Sequence, residues 1–168
     1  MAAGNTYTQI AKTTIGSAVS SYTFSSIPAT YTDLVLVFNG SNAIGNDAYL
    51  IYVNGLVSNI YSATYLEADG STVYSARWSG RSDIPVARGA SDTAGADLVT
   101  VEFLNYANSS VFKSLLARYS LGGTLGARTS ATVGVVGTLN SINSITFKSN
   151  ASNLSVGSTL ALYGITAA

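Results

Sequence analysis

Phe24 to Gly40 reads FSSIPATYTDLVLVFNG: a proline turn, five consecutive apolar residues from Leu34 to Phe38, and a closing Asn39-Gly40 pair. A strand with one face in water alternates apolar and polar residues, whereas an unbroken Val/Leu/Phe run predicts a strand covered on both faces. The second face must then lie under another layer of this chain, at the opposite sheet's edge, or under another chain.

Strand signals follow at short spacing on both sides of this run. Further strands are predicted near 7–15, 19–24, 48–53, 56–61, 63–66, 72–78, 96–104, 113–121, 128–136, 142–148 and 159–165, with Gly, Asn and Asp turns between them. Asn54-Gly55 and Asp69-Gly70 each read as a two-residue hairpin turn. SSVFKSLLARYS, from Ser109, allows a helical spacing of Val111, Leu115 and Arg118, but its surrounding β-branched and aromatic residues favour a strand after a loop tip. In TLALYGI, Leu160 and Leu162 share one face and Ala161, Tyr163 and Ile165 the other, so the chain's last strand is predicted to be interior. The reading is all-β: an antiparallel, jelly-roll-like β-sandwich forming one domain over 1–168, with 1–10 as an N-terminal arm and 79–95 as a long loop. That loop holds Arg81, Asp83, Pro85, Arg88 and Asp92, and loops of such length commonly carry function or contact partners.

Composition narrows the chemistry. Charged residues make up 10% of the chain, well under the roughly 25% usual for soluble domains. Ser and Thr supply about a quarter of it, so the surface is hydroxyl and amide rather than ionic. Eight basic residues balance eight acidic ones without like-charge runs, which removes the electrostatic footprint of a nucleic-acid binder. No stretch approaches the 18 apolar residues of a membrane span, and the first residues lack an export-signal pattern. The sequons at Asn39, Asn108, Asn150 and Asn153 are then expected to stay unmodified.

Cysteine and histidine are absent, which excludes disulfides, thiolate chemistry, Ser-His and Cys-His arrangements and the usual zinc ligands. Asp33, Asp47, Glu67, Asp69, Asp83, Asp92, Asp97 and Glu102 form no motif, and most fall where Asp caps backbone amides. GNDAYLIYVNG and ASDTAGAD have the composition of calcium loops without the pattern, and SLGGTLGARTS lacks the lysine of a phosphate-binding loop. The eleven tyrosines and Trp78 suit core and cross-strand packing, and equally sugar stacking. No catalytic, cofactor-binding or metal-binding residue is predicted, and no cofactor.

Three segments together carry a resemblance: FSSIPATYTDLVLVFNG, VTVEFLNYANSSVFKSLLAR, and the closing SINSITFKSNASNLSVGSTLALYGI. In order and spacing, from Ile10 to Ile165, they resemble a family of small β-rich structural proteins of tailed bacteriophages, with the middle third least similar. The resemblance implies a virion surface part: foremost a capsid decoration (cement) protein, bound to the major capsid protein and associating with itself as a homotrimer. It is assembled in the host's bacterial cytoplasm and displayed on the capsid surface. The alternative is a fibre or receptor-binding domain that engages host glycans. The family carries no catalytic residues to this chain, and nucleic acid and membranes are not expected partners.

Overall fold

A computed structural model describes residues 6–44, 47–87, 96–123 and 126–166. Twelve strands, β1 (Tyr7–Thr14), β2 (Ser21–Phe24), β3 (Asp33–Gly40), β4 (Tyr49–Val53), β5 (Tyr61–Ala68), β6 (Val73–Arg81), β7 (Ile84–Ala87), β8 (Ala96–Leu104), β9 (Lys113–Gly123), β10 (Gly126–Val136), β11 (Ile145–Ser149) and β12 (Thr159–Ile165), form two antiparallel sheets. The larger has the order β1-β12-β3-β8-β9-β10-β5-β6 and the smaller β2-β11-β4-β7. They stack as a single-domain β-sandwich. Eight strands stand against four, and the chain crosses between the layers at β1–β2, β2–β3, β3–β4, β4–β5, β6–β7, β7–β8, β10–β11 and β11–β12.

The core lies between the sheets and follows the period-2 pattern. Leu34, Leu36 and Phe38 of β3 point into it beside Val99, Val101 and Phe103 of β8, all fully buried. Phe38 crosses to the small sheet, stacking on Phe147 at 4.8 Å and meeting Tyr49 at 4.9 Å. Gly134 leaves a gap in β10 that Ile84 of β7 fills; a Cβ there would lie 2.9 Å from two Ile84 carbons. The second face of the apolar run, Val35 and Val37, belongs to the outer face of the large sheet. Val35 is nonetheless buried, between its cross-strand neighbours Tyr163 and Glu102, so shelter comes from within the sheet.

Four sequence expectations are corrected. Residues 79–95 are not one long loop: β6 runs to Arg81, and Ile84–Ala87 is a buried edge strand, a place where Pro85 is tolerated because an edge N–H need not join the ladder. Residues 88–95, with Arg88 and Asp92, lie outside the described residues. Residues 1–10 are not all arm, since β1 begins at Tyr7 and pairs with β12; 1–5 are outside the description. Residues 56–60 form no strand, Tyr61 opening β5 instead, and Asn54-Gly55 closes no hairpin. Both residues do have the positive φ of a type I′ turn, 54° and 66°. Yet β4 is already flanked by β11 and β7, so a returning strand has no edge to join. The Asn54 side chain instead binds the 141–144 loop: its Oδ1 accepts from the Asn143 and Ser144 amides and its Nδ2 donates to the Ser141 carbonyl. A hairpin does join β5 and β6, but one residue later than read: the Asp69 amide donates to the Thr72 carbonyl, so Gly70-Ser71 makes the turn and only Gly70 has positive φ; the segment from Lys113 is a strand.

The three segments that carry the family resemblance meet at one end of the sandwich. The Tyr106 hydroxyl donates to the Pro28 carbonyl and accepts from the Tyr31 amide, and the Ile142 amide donates to the Tyr106 carbonyl. The Tyr31 ring covers Gly164 so closely that an added Cβ would lie 2.2 Å from Cγ of the ring. Gly164→Ala is therefore expected to cost about 1–3 kcal/mol by overpacking. At about 2–4 °C per kcal/mol for a domain of this size, a melting scan reads it directly; an unchanged melting temperature would show that Tyr31 is free to move aside.

Candidate functional site

Antiparallel register turns the outer face of the large sheet into rows that can be written out residue by residue. One row runs Gln9, Tyr163, Val35, Glu102, Leu116, Val133, Thr64, Arg77; the next Lys12, Ala161, Val37, Thr100, Arg118, Ala131, Leu66, Ser75. A third runs Thr14, Thr159, Asn39, Leu98, Ser120, Thr129, Ala68, Val73. Four of these side chains are charged, and two of the four, Glu102 and Arg118, pair with each other. Leu66, Val73, Leu98, Val133 and Val135 are exposed on it. With strands about 4.8 Å apart and same-face residues about 6.8 Å apart, three such rows and the partial row beside them span roughly 34 by 20 Å, or about 700 Å². That matches the roughly 800 Å² each partner contributes to a standard protein–protein interface.

The carboxylates are dispersed, as their sequence positions implied. Asp33 accepts from the Asn105 amide at 2.7 Å, and Asp69 accepts from the Ser71 and Thr72 amides within its turn. Glu67 pairs with Arg128, and Asp83 with Arg81 at 2.9 Å. Asp47 accepts from the Ala48 and Ala151 amides and the Ser149 hydroxyl. Burial alone would raise its pKa, but these bonds outweigh burial and hold it below the usual value. Asp97 is different. It lies fully buried at the start of β8, its oxygens accepting from the hydroxyls of Tyr49 (2.5 Å) and Tyr119 (3.0 Å). Burial pushes its pKa up, partly offset by the two tyrosines, whose own pKa values rise through burial and the Asp97 charge. With all three side chains buried no substrate can reach the carboxylate, so this cluster orders the core. Sequence reasoning treated Asp97 as one more scattered acid; its signal, the apolar alternation of Leu98–Phe103, placed it on the inward phase.

Lys113 is a second buried polar group, its Nζ donating to the carbonyls of Val111 (2.7 Å) and Leu139 (3.2 Å). Burial lowers its pKa. It ties two loops together at the end carrying Tyr106. Among the described residues, no group of three or more Asp or Glu side chains stands close enough to hold a metal ion.

The outer side of the small sheet carries a cleft of about 710 Å³. It is lined by Tyr52, Lys148, Asn150 and Asn153, together with Ile44 and Val57, each 64% exposed. The cleft is pre-built by backbone bonds: the Ala43 amide donates to the Asn153 carbonyl at 2.9 Å, and the Ser149 amide to the Ser20 carbonyl at 3.1 Å. An aromatic ring, amides, a cation and apolar side chains suit a polyhydroxylated ligand. Five of the eleven tyrosines do other work: Tyr49, Tyr61, Tyr65, Tyr106 and Tyr119 are core residues. Comparison with known protein families, with characterised proteins and with solved structures finds no match to this chain.

Proposed function

We propose that this chain is a non-catalytic virion structural protein, a capsid decoration protein that docks on the assembled lattice of a tailed bacteriophage through the outer face of its eight-stranded sheet. The observation that carries the reading is that face: about 700 Å² made mostly of Val, Leu, Ala, Ser and Thr side chains in register, with Glu102 and Arg118 neutralising each other at its centre and Lys12 and Arg77 at its edges. A largely apolar and hydroxylated surface of that size, with Lys12 and Arg77 confined to its two edge strands, fits another protein surface mainly by apolar burial and hydrogen bonds. The occupant is the major capsid protein, the partner the family resemblance implies. The second reading, a fibre or receptor-binding domain, rests on the Tyr52–Lys148 cleft and its fit to a saccharide.

One experiment separates the two. Quantitative mass spectrometry of purified particles is expected to find many copies per particle, and added protein should raise the melting temperature of bare capsids, because a ligand of the assembled lattice stabilises that lattice. Binding should change little from about 0.05 to 0.5 M salt, over which the Debye length shortens roughly threefold. Few copies, together with adsorption to host cells that is lost in Tyr52→Ala and Lys148→Ala, would replace decoration by the fibre reading. Strong salt sensitivity would refute the apolar face as the contact.

A further inference from the structure

We infer that β6 is a self-association edge, pairing antiparallel with β6 of a second copy about a two-fold axis at Ala76. The four outermost strands are not alike. β2 and β7 are four residues long, too short to template much. β1 carries two devices that discourage a neighbour, a register shift between Gln9 and Ala11 and the exposed Lys12. β6 has nine residues and lacks Lys and Pro; it carries Arg77 and a register shift of its own, but the shift lies beyond Trp78 and leaves six residues, Val73 to Trp78, in unbroken register with β5, against four in β1. Among the described residues it pairs with no strand but β5. Its backbone groups on the other side point outward, and its first residues, Val73 and Tyr74, are 68% and 47% exposed.

The sequence of β6 selects one register. In a two-fold antiparallel pair, opposite residues point to the same side, so the axis must pass through a residue. Through Ala76 it sets Ala76 opposite Ala76, Ser75 opposite Arg77, and Tyr74 opposite Trp78. The exposed Tyr74 ring of one copy then packs as a cross-strand neighbour beside Trp78 of the other, whose ring already carries Tyr65 at 4.4 Å and the Arg81 guanidinium at 5.7 Å. An axis through Arg77 would oppose two like charges. One through Trp78 would require pairing across Gly80, whose φ of +62° breaks the extended backbone. One through Ser75 loses the aromatic pair, and one through Tyr74 opposes Tyr74 to itself but leaves only Val73 to Ser75 of the strand in the ladder. The surviving register is self-complementary, as a two-fold contact must be, and it joins the two large sheets into one of sixteen strands.

The test uses the whole chain, whose lack of cysteine makes an introduced thiol unique. Directly opposed Cβ atoms in such a pair approach to about 4.5–5.5 Å, near the range a disulfide bridges. Under mild oxidation Ala76→Cys is expected to form a disulfide-linked dimer. Val73→Cys, which the register sets opposite Ser79 rather than itself, should remain unlinked. Light scattering on the unmodified protein should give twice the mass of one chain, or an even multiple. A single-chain mass at all concentrations, a plain trimer, or cross-linking at Val73 in place of Ala76 would each overturn the pairing.

Discussion

Removal of Thr159–Ala168 is expected to abolish folding, yielding a chain that is insoluble or shows no cooperative melting. β12 sits between β1 and β3, so its loss strips one ladder from each and leaves β1 with no partner. Leu160 and Leu162, both fully buried, leave the core. At about 1.5–3 kcal/mol per buried leucine side chain that is about 3–6 kcal/mol, before the unpaired backbone of β3 is counted. A whole domain is stable by about 5–15 kcal/mol, so little or nothing remains. Circular dichroism and a melting scan decide the matter. A soluble product melting as the full chain does would make β12 peripheral and would contradict its central place in the sheet.

That β12 is interior was legible in TLALYGI, because a segment apolar on both phases has few other uses. The same logic found β3, β8, β10 and β11, where alternation or unbroken apolar runs leave one assignment. Failures cluster where tertiary context overrides a local signal. Asn54-Gly55 has the dihedral angles its sequence promises, but a turn knows nothing of the strands already flanking β4. IPVA, from Ile84 to Ala87, lies in a stretch whose Gly, Pro and charges speak for a loop, yet all four residues are buried because Ile84 fills the gap at Gly134. A four-residue edge strand is too short to show a period.

Interaction surfaces were less legible than the fold. The three rows on the large sheet draw on all eight of its strands, so adjacency within them depends on strand order, which no local pattern encodes. The Tyr52–Lys148 cleft likewise joins residues about a hundred positions apart. The segments Phe24–Gly40, Val99–Arg118 and Ser141–Ile165 were the easiest to see, and in the structure they build one end of the sandwich through Tyr31, Tyr106 and Gly164. Their physical content is packing, so particle binding must be tested at the sheet face rather than inferred from those motifs.

The buried Asp97 should make the protein most stable in mild acid, an unusual profile for a domain of balanced charge. Its folded pKa is raised by burial above the ordinary 3.8, so the folded state holds the proton more tightly than the unfolded chain. The stabilisation is complete below about 3.8 and is lost as pH rises through the folded value. Asp47 acts in the opposite window: its folded pKa is lowered, so its contribution is present above the ordinary value and is lost as pH falls through the folded one. Together they place the maximum above the ordinary carboxylate value and below the raised folded value of Asp97, with a decline toward neutrality that belongs to Asp97. Asp97→Asn mimics the protonated acid and should flatten that limb, matching the unmodified protein at pH 4 and exceeding it at pH 7. Asp97→Ala should instead cost about 2–6 kcal/mol at pH 4, since it leaves two buried tyrosine hydroxyls without their acceptor at about 1–3 kcal/mol each. Urea unfolding of the three proteins from pH 3 to 8 supplies every comparison. The charges nearest the cluster, Arg128 and Glu67, which act on Tyr119 from β10 and β5, are common to all three and cancel in the differences. A decline toward neutrality that survives in Asp97→Asn would assign the pH dependence elsewhere and remove Asp97 from it.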